Sequence, residues 1–125
     1  MSNLTSYEYH NVIIYLNCLL FQTLYKQGAR TFWIHNTGPI GCLPISVIYT
    51  PAKTEDLDQI GCLKSHNEVA QEFNRQLKEK VSSLRSQLSG AALTYADIYA
   101  AKYKLISEAA KLGKLALVQF LFLSK

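Results

Sequence analysis

The run SHNEVAQEFNRQLKEKVSSLRSQLSGAALTY, residues 65–95, decides the fold class. Ser65-His66-Asn67-Glu68 has the form of a capping box, in which the serine oxygen and the glutamate carboxylate satisfy free N–H groups at a helix start. Val69, Phe73, Leu77, Val81, Leu84 and Leu88 follow at spacings of three and four, which predicts one apolar helix face over about five turns. Gly90 ends the helix, and Ala91-Ala92-Leu93-Thr94-Tyr95 reads as a strand. Upstream, Thr31-Phe32-Trp33-Ile34-His35 is β-branched and aromatic and predicts a short strand buried on both faces. Strand, long helical crossover and strand make a βαβ unit, whose handedness rule sets the strands parallel. The expected class is therefore α/β. Parallel sheets normally hold several strands and are covered on both faces. Only two strands can be read, so the chain is expected to be a piece of a larger α/β domain.

The flanks fit that frame. Tyr7–Gln27 carries Ile13, Leu16, Leu20 and Leu24 on one face and predicts a helix, and Gly28 suits the left-handed residue just past its end. All three prolines, Pro39, Pro44 and Pro51, fall with Gly38 and Gly41 in residues 37–62, which predicts a long irregular loop. Asp97–Lys111 reads as a third helix, with Asp97 as its N-cap. No internal repeat or low-complexity tract interrupts the chain.

The formal charge of +4 is uneven. Residues 1–100 carry eight basic and eight acidic side chains, and the excess comes from Lys102, Lys104, Lys111, Lys114 and Lys125 against Glu108. A lysine-rich end lacks the basic stripe with interleaved aromatics of a nucleic-acid binder, so no nucleic-acid partner is expected. The apolar runs Val12–Phe21 and Leu115–Leu123 fall far short of the roughly 20 residues that span a bilayer. Glu8 and His10 precede the first run where a leader would carry basic residues, so no targeting signal is read. Asn3-Leu4-Thr5 is a glycosylation sequon, which matters if the chain is secreted.

The cysteines are Cys18, Cys42 and Cys62, with no Cys-x-x-Cys. Cys42 and Cys62 each follow a glycine. They are readable either as a disulfide, contributing roughly 3 kcal/mol by closing the intervening loop, or as two reduced, buried thiols. A zinc site from His35, Cys42, Cys62 and His66 has local ligand spacing only at Cys-x-x-x-His, and no metal is expected. Ten serines are present but none lies in Gly-x-Ser-x-Gly. His10 and His66 fall on predicted helices, and His35 ends a strand, where a structural role is expected. Neither a phosphate-cradling glycine loop nor a dinucleotide fingerprint occurs, so no cofactor is expected.

Leu24-Tyr25-Lys26-Gln27-Gly28-Ala29-Arg30-Thr31-Phe32 and Asn36-Thr37-Gly38-Pro39-Ile40-Gly41-Cys42-Leu43-Pro44 strongly resemble the middle of plant GDSL-type esterases/lipases. Gly61-Cys62, His66-Asn67-Glu68, Phe73-Asn74-Arg75-Gln76-Leu77 and Tyr95-Ala96-Asp97-Ile98-Tyr99 leading to Lys102-Tyr103 agree. Trp33-Ile34-His35-Asn36 looks most like the early-nodulin-like and fucosidase-annotated branch. The resemblance covers roughly residues 20–112; residues 1–20 and 113–125 depart from it.

The resemblance implies an SGNH hydrolase with a flavodoxin-like, three-layer α/β fold. Residues 1–125 would then be one incomplete domain with about two parallel strands and three or four helices. It also implies an extracellular setting, a small-molecule, lipid or sugar ester as substrate, and Asn36, Thr37 and Gly38 bordering the ester pocket. The family's catalytic blocks are a Gly-Asp-Ser-Leu serine, a Gly-x-Asn-Asp asparagine and an Asp-x-x-His histidine. The chain has no Gly-Asp-Ser, no Asn-Asp and no aspartate with histidine three residues later, so no catalytic residue is assigned. The expectation is a fragment of a GDSL esterase/lipase, inactive by itself. The alternative is a non-catalytic binding or regulatory module that associates with a full-length relative. Exposed strand edges and the Leu115–Leu123 run would favour self-association.

Overall fold

A computed structural model of the chain describes residues 6–111; the sequon at Asn3 and the run Leu115–Leu123 lie outside them. In chain order the elements are α1 (Ser6–Lys26), β1 (Thr31–His35), α2 (Pro44–Tyr49), α3 (Lys64–Gln87), β2 (Ala92–Ala96) and α4 (Ile98–Lys111). β1 and β2 pair in parallel, Thr31 opposite Ala92 through His35 opposite Ala96. The described residues thus form an α/β structure with a two-stranded parallel sheet and four α-helices. None of the described helices is long and apolar enough to cross a membrane. Two compact units divide the residues: one runs to Asn36 and adds Glu72–Ala96, the other holds Thr37–Gln71 and the residues from Asp97.

In the first unit the core joins Phe32 and Ile34 of β1 and Leu93 of β2 to Leu77, Val81 and Leu84 of α3 and to Leu88 just past its end. Cys18, Phe21 and Tyr25 of α1 pack against this cluster, with the Phe21 and Phe32 rings edge to face at 5.7 Å. The buried stripe of α1 is therefore not the one expected. Ile13, Leu16, Leu20 and Leu24 are 37–57% exposed. This helix is apolar nearly all round, so spacing alone does not choose between its stripes; the aromatic one bears on the sheet. α3 departs less. Its expected stripe is buried at Leu77, Val81, Leu84 and Leu88, and Phe73 packs against the cluster; only near the helix start does it differ, where Val69 is 38% exposed and Asn67, Ala70 and Asn74 are buried.

β1 is buried on one face only, which corrects the expected double burial. Phe32 and Ile34 point into the core, whereas Trp33 is 74% exposed with its ring against His35 at 5.1 Å. Thr31, Ala92 and Thr94 share that exposed face. The physical reason is that α1 and α3 bury the face bearing Phe32, Ile34 and Leu93 and leave the other open. On β2, Ala92 N–H and Ala96 C=O bond toward the β1 side, and the Arg85 guanidinium donates to the Leu93 carbonyl at 2.9 and 3.1 Å. A charged group on a backbone carbonyl blunts a sheet edge. The far edge of β1 meets no strand among the described residues.

The expected helix ends are partly shifted. Gly28, at φ 103°, closes α1 with paired bonds from its own N–H to Tyr25 O and from Ala29 N–H to Leu24 O, a left-handed cap that favours glycine. Asp97 caps α4 as expected, its Oδ1 accepting the Ala100 N–H at 3.0 Å. α3, however, begins at Lys64, which puts Ser65 inside the first turn rather than at the cap. The loop 37–62 also contains more structure than expected: α2 starts on Pro44, whose missing N–H costs nothing in a first turn.

Candidate functional site

The second unit is organised by the segment Pro39–Pro44 against the start of α3. A single 3₁₀ turn, Ile40–Cys42, brings Gly41 beside Leu63 and Asn67. The Gly41 carbonyl accepts the Leu63 N–H at 2.9 Å, and the Gly41 N–H donates to Asn67 Oδ1 at 2.9 Å. Asn67 Nδ2 lies 3.6 Å from Cys42 Sγ. A Cβ at Gly41 would overlap the Leu63 carbonyl oxygen and come within 2.9 Å of Asn67 Oδ1. Cys42 and Cys62 are joined as a disulfide with Cα atoms 4.4 Å apart. Both thiols are thereby removed from the imagined His35, Cys42, Cys62, His66 zinc set. Among the described residues no other cluster of three potential ligands forms.

Asp58 organises the next turn. Its Oδ1 accepts the N–H groups of Ile60 and Cys62 at 3.0 and 2.9 Å, and its Oδ2 accepts the Tyr103 hydroxyl at 2.8 Å. That hydrogen bond, with burial and the neighbouring charge, pushes the Tyr103 hydroxyl up to about 12. The Tyr99 and Tyr103 rings stack at 5.9 Å, and Gln71 Nε2 donates to the Tyr99 hydroxyl at 2.9 Å. Burial raises the Tyr99 pKa, opposed by the Gln71 bond and helped by Asp58. These groups, with Glu68, line a polar cavity of about 340 Å³.

A second cavity, about 220 Å³, is bordered by Thr37, Gly38, Ile40, Leu43, Lys102 and Ile106. Thr37 and Gly38 thus sit on a cavity wall. Asn36 belongs to the first unit, 7% exposed, with its N–H donating to Ala96 O, and it is not among the residues lining this cavity. Asn67, Asp58 and Lys102 line these cavities without having been given a site role from the sequence. A signal for Asn67 existed: an asparagine three residues before Ala70 and seven before Asn74, in phase with Leu77 and Val81.

Ester chemistry requires an activated nucleophile. The hydroxyls of Ser46, Ser82 and Ser86 donate to the backbone carbonyls of Ile40, Lys78 and Ser83. Neither His35 nor His66 is hydrogen-bonded to a serine among the described residues.

A family model described as GDSL-like Lipase/Acylhydrolase matches residues 7–113. The chain belongs to this family. The match reaches further toward the N-terminus than the residues that carried the resemblance. Relatives agree in plants: a GDSL esterase/lipase of Arabidopsis thaliana is 55% identical over 94 residues, 74% of this chain and 24% of the relative. A GDSL esterase/lipase of Zea mays is 53% identical, over 75% of this chain and 24% of the relative. Alpha-L-fucosidase 3 of Arabidopsis thaliana is 50% identical, over 70% of this chain and 24% of the relative. The GDSL chain therefore spans about a quarter of the length of the curated relatives it matches. No solved structure matches it.

Proposed function

We propose that these 125 residues are part of one SGNH-type domain of an extracellular GDSL ester hydrolase, and that the chain alone does not hydrolyse esters. The observation that carries this reading is a family match over residues 7–113 in a chain without Gly-Asp-Ser, Asn-Asp or Asp-x-x-His. Hydrolysis of an ester needs a serine deprotonated by an oriented histidine, and donors aimed at the developing oxyanion. Losing triad members costs several powers of ten in rate. What the chain contributes is scaffold: two parallel strands, α1 and α3 on one face, and Asn36, Thr37 and Gly38 following the carboxyl end of β1, where open α/β sheets bind ligands. A Cys42–Cys62 disulfide suits an oxidising, extracellular compartment.

The purified chain is expected to release no p-nitrophenol from p-nitrophenyl acetate or butyrate above the buffer rate. Esterase-like turnover that a serine-directed inhibitor abolishes would contradict the proposal.

A second reading, a non-catalytic module that binds a full-length relative, is favoured by one observation: the exposed row Ile13, Leu16 and Leu20 on α1. Size-exclusion chromatography separates the two. A stoichiometric complex with a full-length relative supports the module, whereas concentration-dependent self-association relieved by Leu16→Lys with Leu20→Lys supports an incomplete domain.

A further inference from the structure

The 220 Å³ cavity of the second unit has aliphatic walls from Ile40, Leu43 and Ile106 and, among the described residues, a single cation, Lys102, at its border. Gly38 lets that cation in. A Cβ placed there would lie 3.2 Å from Lys102 Cδ and 3.9 Å from Nζ, so the lysine stem runs directly over bare backbone. Lys53 and Lys104 each face a glutamate, but no ion pair engages Lys102 among the described residues. An apolar chamber with one cation on its rim is complementary to a short tail ending in one negative group. At about 220 Å³ the chamber is smaller than the roughly 300–1,000 Å³ of a pocket for a drug-sized ligand, which limits the tail to a few carbons.

We infer that this cavity binds a short-chain aliphatic monocarboxylate, about four or five carbons long, with its tail among Ile40, Leu43 and Ile106 and its carboxylate on the Lys102 ammonium. Inorganic phosphate, the competing anion, has nothing to place against the aliphatic walls, and an alcohol of the same length leaves the ammonium without a counter-charge. The binding argument stands on the cavity. Only the ligand's role, as the acid released from an ester, rests on the hydrolase reading.

Calorimetric titration of the full chain with sodium butyrate tests this. One saturable millimolar site is expected, with inorganic phosphate giving no heat. Lys102→Gln is expected to weaken butyrate by about fivefold to tenfold while leaving the weaker binding of butanol unchanged. Gly38→Ala, which keeps the charge but crowds the lysine stem, is expected to weaken butyrate severalfold. Circular dichroism confirms that each variant is folded. The inference is overturned by equal butyrate binding in Lys102→Gln, by phosphate binding as well as butyrate, or by no saturable binding to folded chain. None of these outcomes bears on the ester-hydrolase reading, which fails separately through serine-dependent turnover of p-nitrophenyl esters.

Discussion

The Gly41 amide donates a 2.9 Å hydrogen bond to Oδ1 of Asn67, and that same side chain, with the Leu63 carbonyl, fills the space a Cβ at Gly41 would need. Loop and helix are thus locked by one glycine and one asparagine, and the disulfide lies immediately beside them.

Gly41→Ala is expected to destabilise the chain by about 2–4 kcal/mol, because the obstacle is a backbone carbonyl that yields only by moving the strand of loop around it. Asn67→Ala leaves the buried Gly41 N–H without its acceptor and is expected to cost about 1–3 kcal/mol. The double variant should lose less than the sum, since the two residues share one contact. Urea midpoints measure all three; a Gly41→Ala midpoint equal to wild type contradicts the packing described.

Cys42 and Cys62 are expected to resist alkylation in the denatured, unreduced chain, leaving Cys18 as the one reactive thiol of the three cysteines. Reduction should then expose all three to alkylation and lower stability by roughly 3 kcal/mol. Mass spectrometry reads the first result and urea denaturation the second. In the native chain Cys18 should react slowly, because burial pushes its thiol pKa up against the opposing charge of Lys80. Three modified cysteines without reductant would contradict the linkage.

The Tyr103–Asp58 bond predicts an alkaline weak point. The folded hydroxyl titrates at about 12, above an unfolded value of about 10. The stabilisation is therefore fully present below pH 10 and is lost as pH rises through the folded value. Partial exposure of this tyrosine makes the effect small. Urea midpoints should fall between about pH 10 and 12, and Tyr103→Phe should flatten that fall. An unchanged slope in Tyr103→Phe would assign the alkaline loss elsewhere.

How far the sequence could be read depends on the kind of physics each feature uses. β1 was readable to the residue from four consecutive β-formers, Thr31 to Ile34, ending at His35, and Asp97 as a cap from its place between strand and helix. The family was readable because Pro-Ile-Gly-Cys-Leu-Pro is a packing constraint written in consecutive residues, with Gly41 at its centre. The buried face of α1 was not, since Leu16 and Phe21 are both apolar and only the sheet chooses between them. The single-sided burial of β1 was missed for the same reason: Trp33 has the composition of a core residue, and its exposure depends on which layers are present. Asp58 and Lys102 act through contacts 45 and 64 positions away, with Tyr103 and Gly38, which no local spacing encodes.

The central claim, that this GDSL chain carries scaffold without a working nucleophile, is tested most directly by a fluorophosphonate probe that labels only activated serines. Intact-mass analysis of the folded chain after incubation is expected to show no adduct, while a full-length GDSL esterase treated in parallel takes up one. A stoichiometric adduct on a single serine of this chain, lost on denaturation before labelling, would contradict the account.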